Sequence, residues 1–217
     1  MKPDIGRPRA LLVVAPHPDD EAIAAHALIA RLVRRGVCIA IVVVSDGAAS
    51  HPGSATWPRP RLVRERQRET RRVMHRIGVR AGAVTFLGLP DGGLGEHAAM
   101  VRRAMTRAVR RCAKPLLALS PLQNDAHPDH RIVAAGAVHS PGVCWWRYPV
   151  WPAGQRWRGA RAMPLTAQER LAKRHAIRSY RTQAGRITDD PNGFAMTRRQ
   201  IAAFTGPQEV FVGAGPR

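Results

Sequence analysis

The sequence predicts an α/β protein built on a mostly parallel sheet with helices on both faces. Three observations carry that expectation. As far as Ser140, short apolar runs alternate with segments of helical periodicity. The apolar runs are continuous and rich in Val, Ile and Leu, as strands buried on both faces are. Glycines close two of the helical segments, where a left-handed residue ends a helix at least steric cost.

The elements follow in order. Ala10 to Ala15 reads as a buried strand, and Asp20 to Arg35 as a helix ended by Gly36. Val37 to Ser45 is a second strand, rich in β-branched residues. A loop with His51-Pro52-Gly53-Ser54 and Trp57-Pro58 leads to a helix from Pro60 to Ile77, closed by Gly78. Val84 to Leu87 is a third strand, Glu96 to Arg111 a helix, Pro115 to Ser120 a fourth strand, and a helix begins near His130. Past Ser140 the rhythm changes. Val143 to Trp151 reads as a strand and Gly154 to Pro164 as loop. Thr166 to Glu169 fits a capping box opening a helix to Tyr180, and Glu209 to Val212 an edge strand. There is no internal repeat or low-complexity segment.

The 217 residues are expected to form one domain, 1–217, with the stretch from 141 shaping substrate access. A chain of this length buries roughly 70% of its unfolded surface and needs no covalent staple. Cys38, Cys112 and Cys144 lie far apart and form no CxxC pair, which argues against a disulfide framework or a cysteine metal site. Cys38 and Cys112 are expected to be buried thiols. Met1-Lys2-Pro3-Asp4 runs almost directly into a strand, so no secretory signal or transmembrane segment is expected and the expected compartment is the cytoplasm. With 35 Lys and Arg against 15 Asp and Glu, the net charge is +20. That balance favours phosphate-bearing partners and is compatible with peripheral membrane contact or an anionic substrate. The arginines are interleaved with Val, Met and Ile at helical spacing, and no nucleic-acid motif accompanies them, so no specific nucleic acid is expected.

Two constellations carry chemistry. His17-Pro18-Asp19-Asp20-Glu21 follows the first strand directly, and His127-Pro128-Asp129-His130 stands at another strand-to-helix junction. In an open parallel sheet ligands bind beyond the carboxyl ends of the strands, where both segments fall. Helix capping accounts for one or two carboxylates but not for a histidine and three carboxylates around a proline. Two imidazoles, one carboxylate and a water suit a catalytic zinc site, and a second carboxylate can serve as general base.

The sequence resembles the N-acetylglucosaminyl-phosphatidylinositol de-N-acetylases, the PIG-L or LmbE-like zinc deacetylases. That family's AHPDDE signature appears as Ala15-Pro16-His17-Pro18-Asp19-Asp20-Glu21, and its HPDH motif is intact at His127 to His130. The resemblance continues through Ser45-Asp46-Gly47, Arg66 to Glu69, Phe86 to Gly92, and Lys173 to Gln183. It implies a Rossmann-like fold, a single Zn2+ and hydrolysis of an acetamido group on an amino-sugar-containing small molecule or glycolipid. By motif position it implies His17, Asp20 and His130 as metal ligands and Asp19 as general base. His127 would steady the oxyanion or protonate the leaving amine, with Asp129 orienting an imidazole, and Arg66 and Asp91 would reach sugar hydroxyls. Where relatives carry glycines early in the first helix this chain has Ala24-Ala25-His26, expected to narrow the approach to the metal. Asp46 and His51 stand on the loop after the second strand, where loop polarity explains them as well as a pocket role does. Two other readings use the same residues: a metal-dependent phosphoesterase, and a polyanion-binding protein with a vestigial site.

Overall fold

A computed structural model describes residues 7–155, 157 and 159–213. β1 (Ala10–Ala15), α1 (Asp20–Arg34), β2 (Cys38–Ser45), α2 (Arg59–Arg76), β3 (Val84–Leu89), α3 (Ala98–Arg111), β4 (Leu116–Pro121), α4 (Pro128–Ala135) and β5 (Val143–Tyr148) alternate as the periodicity predicts. They are followed by β6 (Arg161–Pro164), α5 (Ala167–Arg178), α6 (Arg198–Phe204) and β7 (Gln208–Gly213). The seven strands form one sheet in the order β3-β2-β1-β4-β5-β7-β6. The first five of these are parallel, β7 runs antiparallel to β5, and β6 antiparallel to β7.

The central strand shows how the apolar runs become two cores. Successive side chains of a strand point to opposite faces. Leu11, Val13 and Ala15 of β1 therefore enter one core, and Ala10, Leu12 and Val14 the other. α1, α2 and α5 cover the first face, and α3 and α4 the second. Chain order places β2 and β3 on one side of β1, and β4 and β5 on the other. The winding thus reverses between β1 and β4, and a crevice opens beyond their carboxyl ends.

Three expectations change. The stretch from Gly154 to Pro164 is not all loop, because Arg161–Pro164 pairs with β7; residues 156 and 158 lie outside those described. Proline is tolerated on a sheet edge, and Pro164 ends a four-residue strand that occupies one. β7 is consequently an inner strand, bonded on both sides, and not the edge. Cys38 is exposed and Cys112 and Cys144 are half-buried; Cys38 is the first residue of β2. No helix among the described residues is long and apolar enough to cross a membrane.

Candidate active site

β1 and β4 are parallel neighbours, so the loops leaving their carboxyl ends meet although His17 and His130 are 113 residues apart in sequence. The first loop turns sharply into α1. Asp19, its N-cap, has φ 136° and is the one non-glycine residue with positive φ among those described. The turn is braced from α2: Arg66 donates from Nη1 to Gly47 O (2.6 Å) and from Nη2 to Pro18 O (2.7 Å). Its Nη2 also lies 3.4 Å from Asp19 Oδ2. Gly47 itself has φ 70°, and a Cβ there would stand 2.4 Å from Arg66 Nη1, so only glycine admits this brace.

Three donor atoms converge at the crevice. His17 Nδ1 lies 3.2 Å from Asp20 Oδ2 and 3.2 Å from His130 Nε2. His130 Nε2 lies 3.3 Å from the same Asp20 oxygen. Donors around a tetrahedral ion with bonds of about 2.0–2.1 Å stand about 3.3 Å apart, so this triangle has the size a small cation needs. The far nitrogens face carboxylates. His17 Nε2 is 3.0 Å from Asp91 Oδ1 and 3.4 Å from Asp129 Oδ2, and His130 Nδ1 is 3.3 Å from Asp125 Oδ2. Both nitrogens are buried without a well-formed hydrogen bond. Backing of metal-ligating imidazoles by carboxylates is what fixes their tautomers. Two overlapping groups, His17 with His127 and His130, and His17 with Asp91 and Asp129, also lie close enough to share an ion.

The surrounding carboxylates make this a place that favours positive charge. Burial opposes protonation of His130, but Asp20 and Asp125 outweigh it and push the imidazole up to about 9. His17 is likewise raised, against burial, by Asp129, Asp20 and Asp91. Asp20, although buried, is held well below the carboxylate range by His130 and His17. Asp19 goes the other way. Burial raises it, Arg66 pulls it down, and Asp20 and Glu21 push it up again, to about 8. His127 is lowered by burial and by the two neighbouring histidines. Its Nδ1 accepts from Asp129 N–H (3.2 Å), which leaves the ring proton of the neutral form on Nε2.

The structure brings all eight predicted site residues to this one crevice. His17, Asp19, Asp20, Arg66, Asp91 and His127 line a pocket of about 240 Å³, with Asp129 and His130 fully buried at its edge. The imidazole that Asp129 meets is that of His17, while Gly92 and Leu94 donate their N–H groups to its carboxylate. Asp46 and His51 are buried beside the pocket but outside its lining. Sequence reasoning missed Asp125. Buried, it accepts from the N–H groups of His127 (2.9 Å) and Trp151 (3.0 Å) and faces His130. Its position two residues before His127 was the available signal. It also missed the far wall of the pocket: Trp151, Gln183, Phe194 and Met196, all from the C-terminal third. Ala24, Ala25 and His26 do not line the pocket, whose α1 wall is Asp20 and Ile23. Ala25 is instead where α1 breaks, at φ −146° and ψ 24°.

An open α/β sheet with imidazoles and carboxylates gathered at its switch point defines a class of ligand-binding and hydrolytic proteins. Within that class the chain belongs to the PIG-L family, GlcNAc-PI de-N-acetylase, whose model matches residues 12–140. No curated protein matches the chain. Among solved structures, the N,N'-diacetylchitobiose deacetylase of Pyrococcus horikoshii is similar in fold, with a TM-score of 0.64 and 21% identity over 80% of this chain and 70% of that one. The A40926 pseudoaglycone deacetylase is similar with a TM-score of 0.68 and 19% identity, over 94% of this chain and 96% of that one. GalB, a 4-carboxy-2-hydroxymuconate hydratase from Pseudomonas putida KT2440, shares the fold with a TM-score of 0.56 and 17% identity, each chain being covered over 86%. The frame is therefore common to more than one reaction.

Proposed function

We propose that the protein is a zinc-dependent amidase that removes an N-acyl group, acetyl in the first instance, from an amino sugar. The observation that carries this reading is the donor triangle of His17 Nδ1, Asp20 Oδ2 and His130 Nε2, with edges of 3.2–3.3 Å beside a buried carboxylate. Membership of a de-N-acetylase family and the deacetylases among its structural neighbours support it. In this reading those three atoms hold Zn2+. Zinc, when bound, supplies Lewis-acid polarisation of the amide carbonyl and acidification of water.

The remaining roles follow from the surroundings. Asp19, whose pocket makes it more basic than an ordinary carboxylate, takes the proton of the attacking water and returns it to the departing nitrogen. His127 presents Nε2–H to the carbonyl oxygen as that oxygen becomes negative. Asp91, Asp129 and Asp125 hold the two imidazoles from behind. Arg66 and Asp91 also form pocket wall for the sugar, while their charges, already engaged, keep Asp19 and His17 in place. Trp151, Phe194 and Met196 offer apolar surface to the rest of the substrate.

The phosphoesterase alternative relies on two ions about 3.5–4 Å apart. The second acidic group, His17 with Asp91 and Asp129, uses the opposite nitrogen of the same ring, and two bonds of about 2.0–2.1 Å on opposite sides of one ring separate the ions by roughly 6 Å. The test combines composition and activity. Elemental analysis should find one zinc per chain, largely lost in His17→Ala and in His130→Ala. A panel of N-acetylated glycosides should release free amine with the wild-type protein only. Full metal retention in both variants would refute the ligand set, and phosphate release without amine release would refute the reaction class.

A further inference from the structure

The charged residues of this chain are sorted between inside and outside. Among the described residues nine acidic side chains are buried, whereas Arg66 and Lys173 are the buried basic ones. Surface positive charge is therefore less diluted than the composition suggests, and on α3 it stands without acidic neighbours. Arg102, Arg103, Arg107, Arg110 and Arg111 are all exposed, and with Val138 they line an open groove of about 650 Å³. No acidic residue occurs from His97 to Asn124. The ion pairs of the described residues include none of these five arginines.

α2 is a useful contrast, having more arginines than α3. There Arg68 meets Glu65, Arg61 lies over the Trp57 ring, Arg71 lies over Phe86, and Arg76 donates to Ser179. Compositional bias put arginine on both helices, but among the described residues α2 engages all its arginines except Arg64 and Arg72, whereas α3 engages none of its five. Steps of three and four residues put Met100, Arg103, Arg107 and Arg111 on one stripe of the helix, about 16 Å long at 1.5 Å per residue. Met100 and Val138 are 45% and 38% exposed, among the few large apolar side chains that are.

We propose that this face of α3 docks on an anionic lipid bilayer. Guanidinium groups meet lipid phosphates, and the apolar ends of Met100 and Val138 meet the boundary between headgroups and acyl chains. Nucleic acid is the less fitting partner, because the helix offers no aromatic, Asn or Gln to stack on bases or read them. The contact is peripheral, and it is independent of the chemistry assigned to the pocket.

Vesicle co-sedimentation of the full chain tests this, using phosphatidylcholine with and without phosphatidylglycerol. Wild-type protein should bind only the anionic vesicles. Each basic residue near such a surface contributes about 1 kcal/mol, so Arg103→Gln/Arg107→Gln/Arg111→Gln should weaken partitioning on the order of a hundredfold. The control is Arg68→Gln/Arg71→Gln/Arg76→Gln on α2, which removes the same charge from arginines that neighbours engage and should change partitioning only a few-fold. Equal losses in both variants would mean that bulk charge does the binding, and would overturn the assignment of the surface. Absence of binding to anionic vesicles by the wild type would overturn it outright, as would loss in the α3 variant of binding to a single-stranded oligonucleotide alone. Circular dichroism shows whether each triple variant is folded; if one is not, the single Arg→Gln changes measured separately decide the same comparison.

Discussion

Asp19 carries two burdens at once: its carboxylate is buried beside two others, and its backbone occupies a region that L-residues avoid. Such strain amounts to roughly 1–3 kcal/mol and persists where surrounding structure over-determines it. Asp19→Asn should keep its zinc but lose about 10²–10⁴ in kcat, the usual worth of a general base, as single-turnover amine release would show. Asp19→Gly should be equally inactive yet more stable by up to about 2 kcal/mol, the relieved strain less the roughly 0.5–1 kcal/mol by which glycine favours the unfolded chain. A lower melting temperature for Asp19→Gly would contradict the strain. Asp125→Ala should weaken zinc affinity about 10–100-fold, because His130 loses the group behind it; unchanged affinity in a competition titration would remove Asp125 from the site. The residues that spell a motif were legible in the sequence. Asp125 was not, since a lone aspartate in a polar loop looks the same whether it caps a turn or faces a histidine.

At the scale of elements, the break in α1 at Ala25 frees backbone donors that an intact helix would bond internally. Glu209, arriving on β7, accepts the N–H groups of Ala27 and Leu28 (2.9 Å each), and Lys173 of α5 donates to the same carboxylate (2.9 Å). All of these groups are buried. Glu209→Ala should destabilise the protein by about 3–5 kcal/mol in urea unfolding, because it strands a buried lysine. A cost below about 1 kcal/mol would show that the network is not closed in solution. His26, one residue past the break, is pushed down to about 4 by burial and by Lys173. A base whose folded pKa is depressed binds its proton more readily when unfolded. Its neutral form therefore contributes nothing adverse above the ordinary value near 6.5, and stability falls as pH drops from there towards 4. The loss should reach on the order of 3 kcal/mol at pH 4 and be absent in His26→Leu. Neither the break nor β6 was legible, for different reasons. Ala25 is a strong helix former, and the N–H groups just past the break are bonded by a partner some 180 residues away. Arg161–Pro164 is too short to show a period and ends in a residue that sheets usually exclude.

For the whole molecule, the parallel order of the first five strands and the meeting of two distant histidine motifs follow from one rule, that neighbouring parallel strands present their loops on one rim. This is why the motifs that meet at the candidate site could be read from the sequence, whereas the wall made by Trp151, Gln183, Phe194 and Met196 could not: it depends on how the C-terminal third packs back. The sorting of charge has a further thermodynamic side. In the unfolded chain the carboxylates lie interspersed with arginines and can neutralise them. Folding withdraws nine of the carboxylates into the interior and leaves almost every cation outside. The native surface thus repels itself more than the denatured chain does, over distances that salt screens within about 8–10 Å at moderate ionic strength. Added sodium chloride should raise the melting temperature, the reverse of what a fold held by surface ion pairs would do.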